Sequence, residues 1–273
     1  MPAEMPGKER KRTLEPVQKK PIEYLLEFIV NISRQMIVSG ANLERVELAI
    51  GRICDGYGLK DVGVFLLNTH MSVSAAWPDG VYATRQISIP AAGINLDQLK
   101  KLNRLSYKVA AEHPDPELLP GMLQEVMEFK DYPDLVVLLG QCLGMVCLAL
   151  ILGGTIMDAV AVVPVTIILH YMQIMFSSPS IDRIVANAFC MFAATTAAIF
   201  LVHFGLGDHT GTVVITVSLL VLPGIPLVNA MRNLFCNNEI NGILQLLKVA
   251  LETLSLAIGT YISFTIFGRW IVW

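Results

Sequence analysis

The residues able to do chemistry in this chain lie in its apolar C-terminal half. Pro223-Gly-Ile-Pro226 interrupts a run long enough to cross a bilayer, and Asn229 follows one turn on. Proline removes a backbone donor and clashes with the preceding turn, so a helix must kink or break here. In hydrocarbon a broken helix survives only where protein or a polar cavity meets the freed backbone groups. That is how many secondary transporters build a substrate site, and it is also how a plain proline kink arises. If Pro226 opens a new half-helix, its unpaired N–H groups and positive dipole end suit a carboxylate. Pro223, Gly224, Ile225, Pro226 and Asn229 are therefore the candidate substrate contacts.

Glu252 lies near the middle of the last apolar run, one turn beyond Lys248. A carboxylate there is costly and should face the bundle interior, either as a proton carrier or as the partner of Lys248. Asp158 opens the second apolar run, as a helix-end residue or an ion ligand. Glu252 and Asp158 are the proton-coupling candidates. A lone His170 reads more simply as an interhelical bond. Gln141, Asn187, Thr195 and Thr196 can contact a solute or join helices.

These residues need a membrane to position them. The 273 residues are 54% hydrophobic and 16% charged, with mean hydropathy +0.57. That balance excludes an ordinary soluble domain. Of 20 Lys and Arg residues, 16 precede residue 135, and only Arg183, Arg232, Lys248 and Arg269 follow. The expected architecture is an α-helical polytopic membrane protein with five transmembrane helices and a small N-terminal α+β cytoplasmic domain. Spans of about 20 apolar residues fall at 135–151, 157–176, 184–206, 212–231 and 243–267. Arg183 and Arg232 sit in loops on the side of the basic N-terminal part, while the opposite loops hold no Lys or Arg. The positive-inside rule then gives a multi-pass protein of the cell (plasma or inner) membrane, with its N-terminus cytoplasmic and its C-terminus outside. Trp270 and Trp273 suit an interfacial belt.

Residues 1–20 read as a disordered basic tail, with no secretory signal and no nucleic-acid partner. Residues 21–132 form the α+β domain, and residues 133–273 the membrane domain. Tyr24, Leu25, Phe28, Ile29, Ile32 and Met36 predict an amphipathic helix from Pro21, and Asn42 caps a second. Three strands follow, over 62–67, 71–77 and 81–88, with Pro78-Asp-Gly80 as a turn. Helices over 96–112 and 117–129 complete the domain. His70 with Asp79, or Glu44 with Glu47, could be imagined as catalytic pairs. Neither sits in a catalytic motif, and the glutamates read as surface charges. No phosphate loop or nucleophile elbow is present, so the chain does not read as an enzyme. The five cysteines show no metal-ligand spacing, and no metal, cofactor or disulfide is expected.

Ser39-Gly-Ala-Asn-Leu-Glu-Arg-Val-Glu47, Gly56-Tyr-Gly58, Ala83-Thr-Arg85 and Ile94-Asn-Leu96 resemble the N-terminal domain of the threonine/serine exporter family. Pro223-Gly-Ile-Pro-Leu-Val-Asn-Ala-Met-Arg-Asn233 with Asn241-Gly242 is similar to that family's Pro-Gly-Ile-Pro signature. The resemblance covers Pro21 to the C-terminus. It implies proton-driven export of small amino acids or of dicarboxylates such as succinate. It also implies that this chain is the larger subunit of a split form, completed by a second five-span subunit or, failing that, by a homo-oligomer. The family pattern has Asp at the position of Asn233 and a basic residue near Leu244 or Leu246. The competing expectation is a membrane-anchored sensor or scaffold whose cytoplasmic domain binds a ligand.

Overall fold

A computed structural model describes residues 21–67, 69–90, 93–128, 132–176, 182–236 and 238–270. The basic tail, Trp273 and the Ser-Ser-Pro-Ser turn at 177–180 lie outside the described residues. The chain divides into two compact units at Glu128/Phe129.

In the first unit, α1 (Pro21–Val38) and α2 (Leu43–Gly56) precede β1 (Lys60–Leu66), β2 (His70–Ala76) and β3 (Tyr82–Ser88). Helices α3 (Leu96–Glu112) and α4 (Leu119–Met127) follow. The strands form an antiparallel meander in the order β1-β2-β3, with Val73 opposite Val64 on one side and Arg85 on the other. Period-two alternation turns Met71, Val73 and Ala75 into the core. Gly80 closes the β2–β3 turn at φ +85°, and Asp79 Oδ1 accepts from Val81 N at 3.1 Å. A left-handed turn position of this kind favours glycine.

The buried face of α1 is wider than its marked residues alone. The apolar spacing of α1 predicts a single buried face, and Leu26, Val30 and Ser33 are buried along with Leu25, Phe28, Ile29, Ile32 and Met36. Strands β2 and β3 pack on one side of α1, and α2, α3 and α4 pack around it. Glu23, Glu27, Asn31 and Arg34 keep a half-buried polar stripe, so α1 is amphipathic as its spacing predicts, with a wide buried face. Asn42 stands at the α2 N-cap without a side-chain cap bond, its amide turned toward Glu44 instead. Asn95 caps α3 by accepting from Gln98 N at 3.0 Å.

The second unit is wholly helical: α5 (Asp134–Ile151), α6 (Ile156–Met175), α7 (Arg183–His203), α8 (Thr210–Val221), α9 (Gly224–Phe235) and α10 (Glu239–Phe267), with a final turn at Gly268–Trp270. Four of them, α5, α6, α7 and α10, are long and apolar enough to cross a membrane. The pair α8 and α9 makes a fifth candidate span, bent by 57°. The run read as one span over 212–231 is thus two short helices. The last span starts earlier than its apolar run, because Glu239 to Gly242 join the same helix. In the core of this unit Val162, Val165 and Leu169 of α6 pack among Ala194, Ala198 and Val202 of α7 and Val213 and Val217 of α8. Small residues allow this close approach where no water drives helices together.

Candidate functional site

The break in the fourth apolar run has a defined geometry. Helix α8 closes with Leu222 N donating to Ser218 O at 3.1 Å. Leu222 is extended at φ −57°, ψ 128°, as a residue before proline must be. Pro223, at φ −77°, ψ 63°, makes an inverse γ-turn in which Gly224 N donates to Leu222 O at 2.8 Å. Helix α9 then starts at Gly224, two residues before the Pro226 start expected from sequence, because Pro223 fits the cap and Pro226 still fits the first turn.

The consequence is a pair of opposed helix ends. Pro223 has no N–H to reach Leu219 O, so the last carbonyls of α8 end without the next donor. At the start of α9, Gly224 N is bonded within the turn, Leu227 N donates to Pro223 O at 3.0 Å, and Pro226 has no N–H. Ile225 carries the remaining first-turn amide. The break therefore offers acceptors with the negative end of α8 and a donor with the positive end of α9. Gly224 and Ile225 are exposed, while Pro223, Pro226 and Asn229 are half-buried.

Two registers place Glu252 relative to this break. Helices α9 and α10 run antiparallel: Asn233 Nδ2 donates to Gln245 Oε1 at 3.0 Å, and Gly242 is seated on Leu234. Seven residues back along α9 is Pro226, and seven residues on along α10 is Glu252. Each step is about 10 Å at the helical rise. Pro226 shares a stripe with buried Ala230 and Asn233, and Glu252 shares one with buried Gly242 and Val249. Carried along the register of Asn233 with Gln245, the two stripes bring Pro226 and Glu252 to the same level.

Helices α7 and α10 run parallel. Phe192 N lies against Gly259, Thr196 Oγ1 is 2.9 Å from Ser263 Oγ, and Phe200 packs on Phe267. Both helices advance four residues between successive pairs. The same offset carried back puts Glu252 beside the first turn of α7. Glu252 is central in its own helix, as its apolar run suggests. In the bundle, however, it lies near the α7 N-terminal end, since α10 extends beyond α7 on that side.

Glu252 is buried at 5% exposure. Lys248 is exposed, and among the described residues no ion pair joins the two. The pairing entertained from their spacing is not formed. Ser255 Oγ donates to the Glu252 backbone carbonyl at 2.7 Å and leaves the carboxylate alone.

Asp158 has a different setting. It is fully buried at the start of α6, in a capping box with Thr155. Its Oδ2 accepts from Thr155 N at 2.9 Å and lies 3.0 Å from His209 Nδ1. Its Oδ1 accepts from Asp208 N and His209 N, both at 2.8 Å. Its acceptor positions tie the α7–α8 connection to the α6 N-terminus. The polar neighbours of the other candidates also join helices: His170 Nδ1 lies 2.9 Å from Gln141 Oε1, and Thr195 meets Thr260 at 3.4 Å. A cavity of about 410 Å³ beside α5 and α6 is lined by apolar side chains such as Val146, Leu150, Val163 and Pro164, with nothing to orient a polar solute.

A family model for threonine/serine exporters, ThrE, matches residues 27–267, nearly the whole of both units. The chain belongs to the threonine/serine exporter family. No curated protein and no solved structure matches it. This exporter-family chain therefore belongs among membrane transporters.

In the first unit of this family member His70 and Asp79 do not pair among the described residues. His70 Nε2 lies 3.2 Å from Ser88 Oγ, while Asp79 is spent on its own turn. Sequence reasoning missed Gly259, Thr260 and Ser263. The signal was present as Ser255-x3-Gly259-x3-Ser263, small residues at helix-packing spacing. It also missed the role of Asp158 as a loop anchor, which depends on backbone groups fifty residues away.

Proposed function

We propose that this chain is a subunit of a secondary exporter that moves small carboxylate-bearing solutes out of the cell, with Pro223–Pro226 and Asn229 at the substrate end and Glu252 as the proton-coupling group. The observation that carries this reading is the register that brings the broken helix level with a buried carboxylate that has no side-chain partner among the described residues. The α9 end suits a solute carboxylate, and the α8 end suits an ammonium. A zwitterion uses both ends at once, which favours threonine- or serine-like amino acids over a dicarboxylate such as succinate. Of the two carboxylates first considered, Glu252 is the better carrier, since the lone pairs of Asp158 are already engaged.

The same reading places the first unit in the cytoplasm, with the α7 N-terminus and the α9–α10 connection on the cytoplasmic side and the C-terminus outside. The host is the cell membrane. A five-span unit is odd in number, so a second five-span subunit of opposite orientation would complete an inverted repeat. A homo-oligomer is the alternative completion.

The test is efflux from cells loaded with threonine, serine or succinate, expressing this chain with and without its candidate five-span partner. Uncoupler-sensitive efflux of threonine or serine that needs both chains is the expected result. Efflux of none of the three, with both chains in the membrane, would leave the sensor reading in its place.

A further inference from the structure

We infer that the α7–α10 seam is the gate that closes Glu252 and the helix break off from the side of the α7 C-terminus, and that it must part once in each transport cycle. The inference rests on the exporter reading above. It goes further by naming the moving contact and the state in which the protein is seen.

The seam has three layers beyond Glu252. In the first, Gly259 lies so close to α7 that an added Cβ would fall 2.2 Å from Ala188 O and 3.1 Å from Phe192 N. Backbone touches backbone there, and no water file fits between. The second layer is polar. Thr195 meets Thr260, and Thr196 meets Ser263, with Thr195 and Ser263 buried at 1% and 0%. The third is aromatic, with Phe200 against Phe267 at a centroid distance of 5.3 Å. On the opposite side of Glu252, α7 ends within a turn, while α10 runs on to Glu239. The α7–α10 contacts thus close over the carboxylate toward the α7 C-terminus.

The chemistry of the middle layer suits a contact that opens. Hydroxyl pairs join membrane helices without committing them to one arrangement. Hydroxyls can exchange a partner across the seam for a carbonyl one turn back on their own helix. Thr253, Thr265, Thr166 and Thr216 already bond in that way, to Val249, Tyr261, Val162 and Thr212. Thr195, Thr196 and Ser263 therefore have a second arrangement at hand, and parting the helices leaves no hydroxyl stranded.

The experiment introduces Thr196→Cys with Ser263→Cys into a full-length chain whose native cysteines are replaced, in cells that also carry the candidate five-span partner. Their facing hydroxyls at 2.9 Å put the two positions within disulfide reach. Oxidation is expected to stop efflux, and reduction to restore it, while each single variant keeps exporting under oxidant. A membrane-impermeant maleimide is expected to label the Thr196→Cys thiol from the α7 C-terminal side during turnover. Efflux at the reduced rate after complete crosslinking would overturn the gate and leave the exporter reading standing. Absence of efflux even in the reduced protein would count against the exporter reading. Labelling alone then decides the gate, and a thiol at 196 that stays unlabelled under all solute gradients overturns it.

Discussion

Asn233, in the last turn of α9, donates its side-chain amide to Gln245 Oε1 on α10 at 3.0 Å. This bond, at a buried asparagine, and the close seat of Gly242 on Leu234 mark the register that brings Pro226 level with Glu252. Asn233→Leu removes the donor and leaves Gln245 unmatched. The cost should be about 1 kcal/mol, in line with interhelical polar contacts in membranes. Asn233→Asp should cost less, because Gln245 can turn its own NH2 toward the carboxylate. Thermal unfolding of the purified chain should rank the two in that order, and efflux should follow the same order.

Glu252→Gln keeps the shape and burial of the side chain and removes its charge. The variant should reach the membrane in normal amounts and lose nearly all uncoupler-sensitive efflux. Whatever efflux remains should vary little with external pH. Unchanged pH dependence would take Glu252 out of the coupling step.

Asp158→Asn separates anchoring from coupling. The new side chain can still accept from Asp208 N and His209 N through one oxygen. Its NH2 cannot accept from Thr155 N or from an Nδ1–H of His209. A loss of about 2 kcal/mol follows from the bonds to an ionised carboxylate that are forgone. Thermal stability should fall, while the pH profile of efflux keeps its shape.

In the first unit, burial and then the nearby Asp115 charge push the Tyr57 phenol up to about 12. Its hydroxyl donates to Pro114 O. The folded form holds this proton above the ordinary phenol value near 10, where the unfolded chain releases it. More protons are then bound when folded, so Tyr57 contributes stability below about pH 10 that fades as pH climbs toward the folded value. Tyr57→Phe should be less stable than the parent at neutral pH, and the difference should shrink between about pH 10 and 12 when unfolding is followed by tryptophan fluorescence.

Burial, with a smaller contribution from Asp55, pushes the neighbouring Cys54 thiol up to about 12. A thiolate is the reactive form, so Cys54 should resist maleimide at pH 8 in the folded chain and react after denaturation.

Much of this was legible in the residues. Apolar runs of spanning length at 135–151, 157–176 and 184–206 correspond to α5, α6 and α7, because length and hydropathy are local properties. The break at Pro223 was legible for the same reason: a missing N–H and a fixed φ act within one turn. The start of α9 was misplaced by two residues, since both prolines fit a helix start and only the γ-turn at Pro223 decides between them. The second arm of small residues around Gly259 was visible too, but its meaning was not.

The sequence by itself determined where backbone bonds must fail, which segments are apolar enough for a membrane, and that an acidic residue sits in the last of them. Tertiary structure decided the rest. Among the described residues Glu252 forms no ion pair, since Lys248 is exposed, and it lies beside the first turn of α7 because the parallel α7–α10 register sets its depth. Asp158 became an anchor because the α7–α8 connection brings two backbone amides onto one oxygen. Those outcomes depend on which helices pack, in which direction and at what offset. No local pattern encodes an offset, which is settled by small residues such as Gly242 and Gly259 admitting one close approach and refusing others.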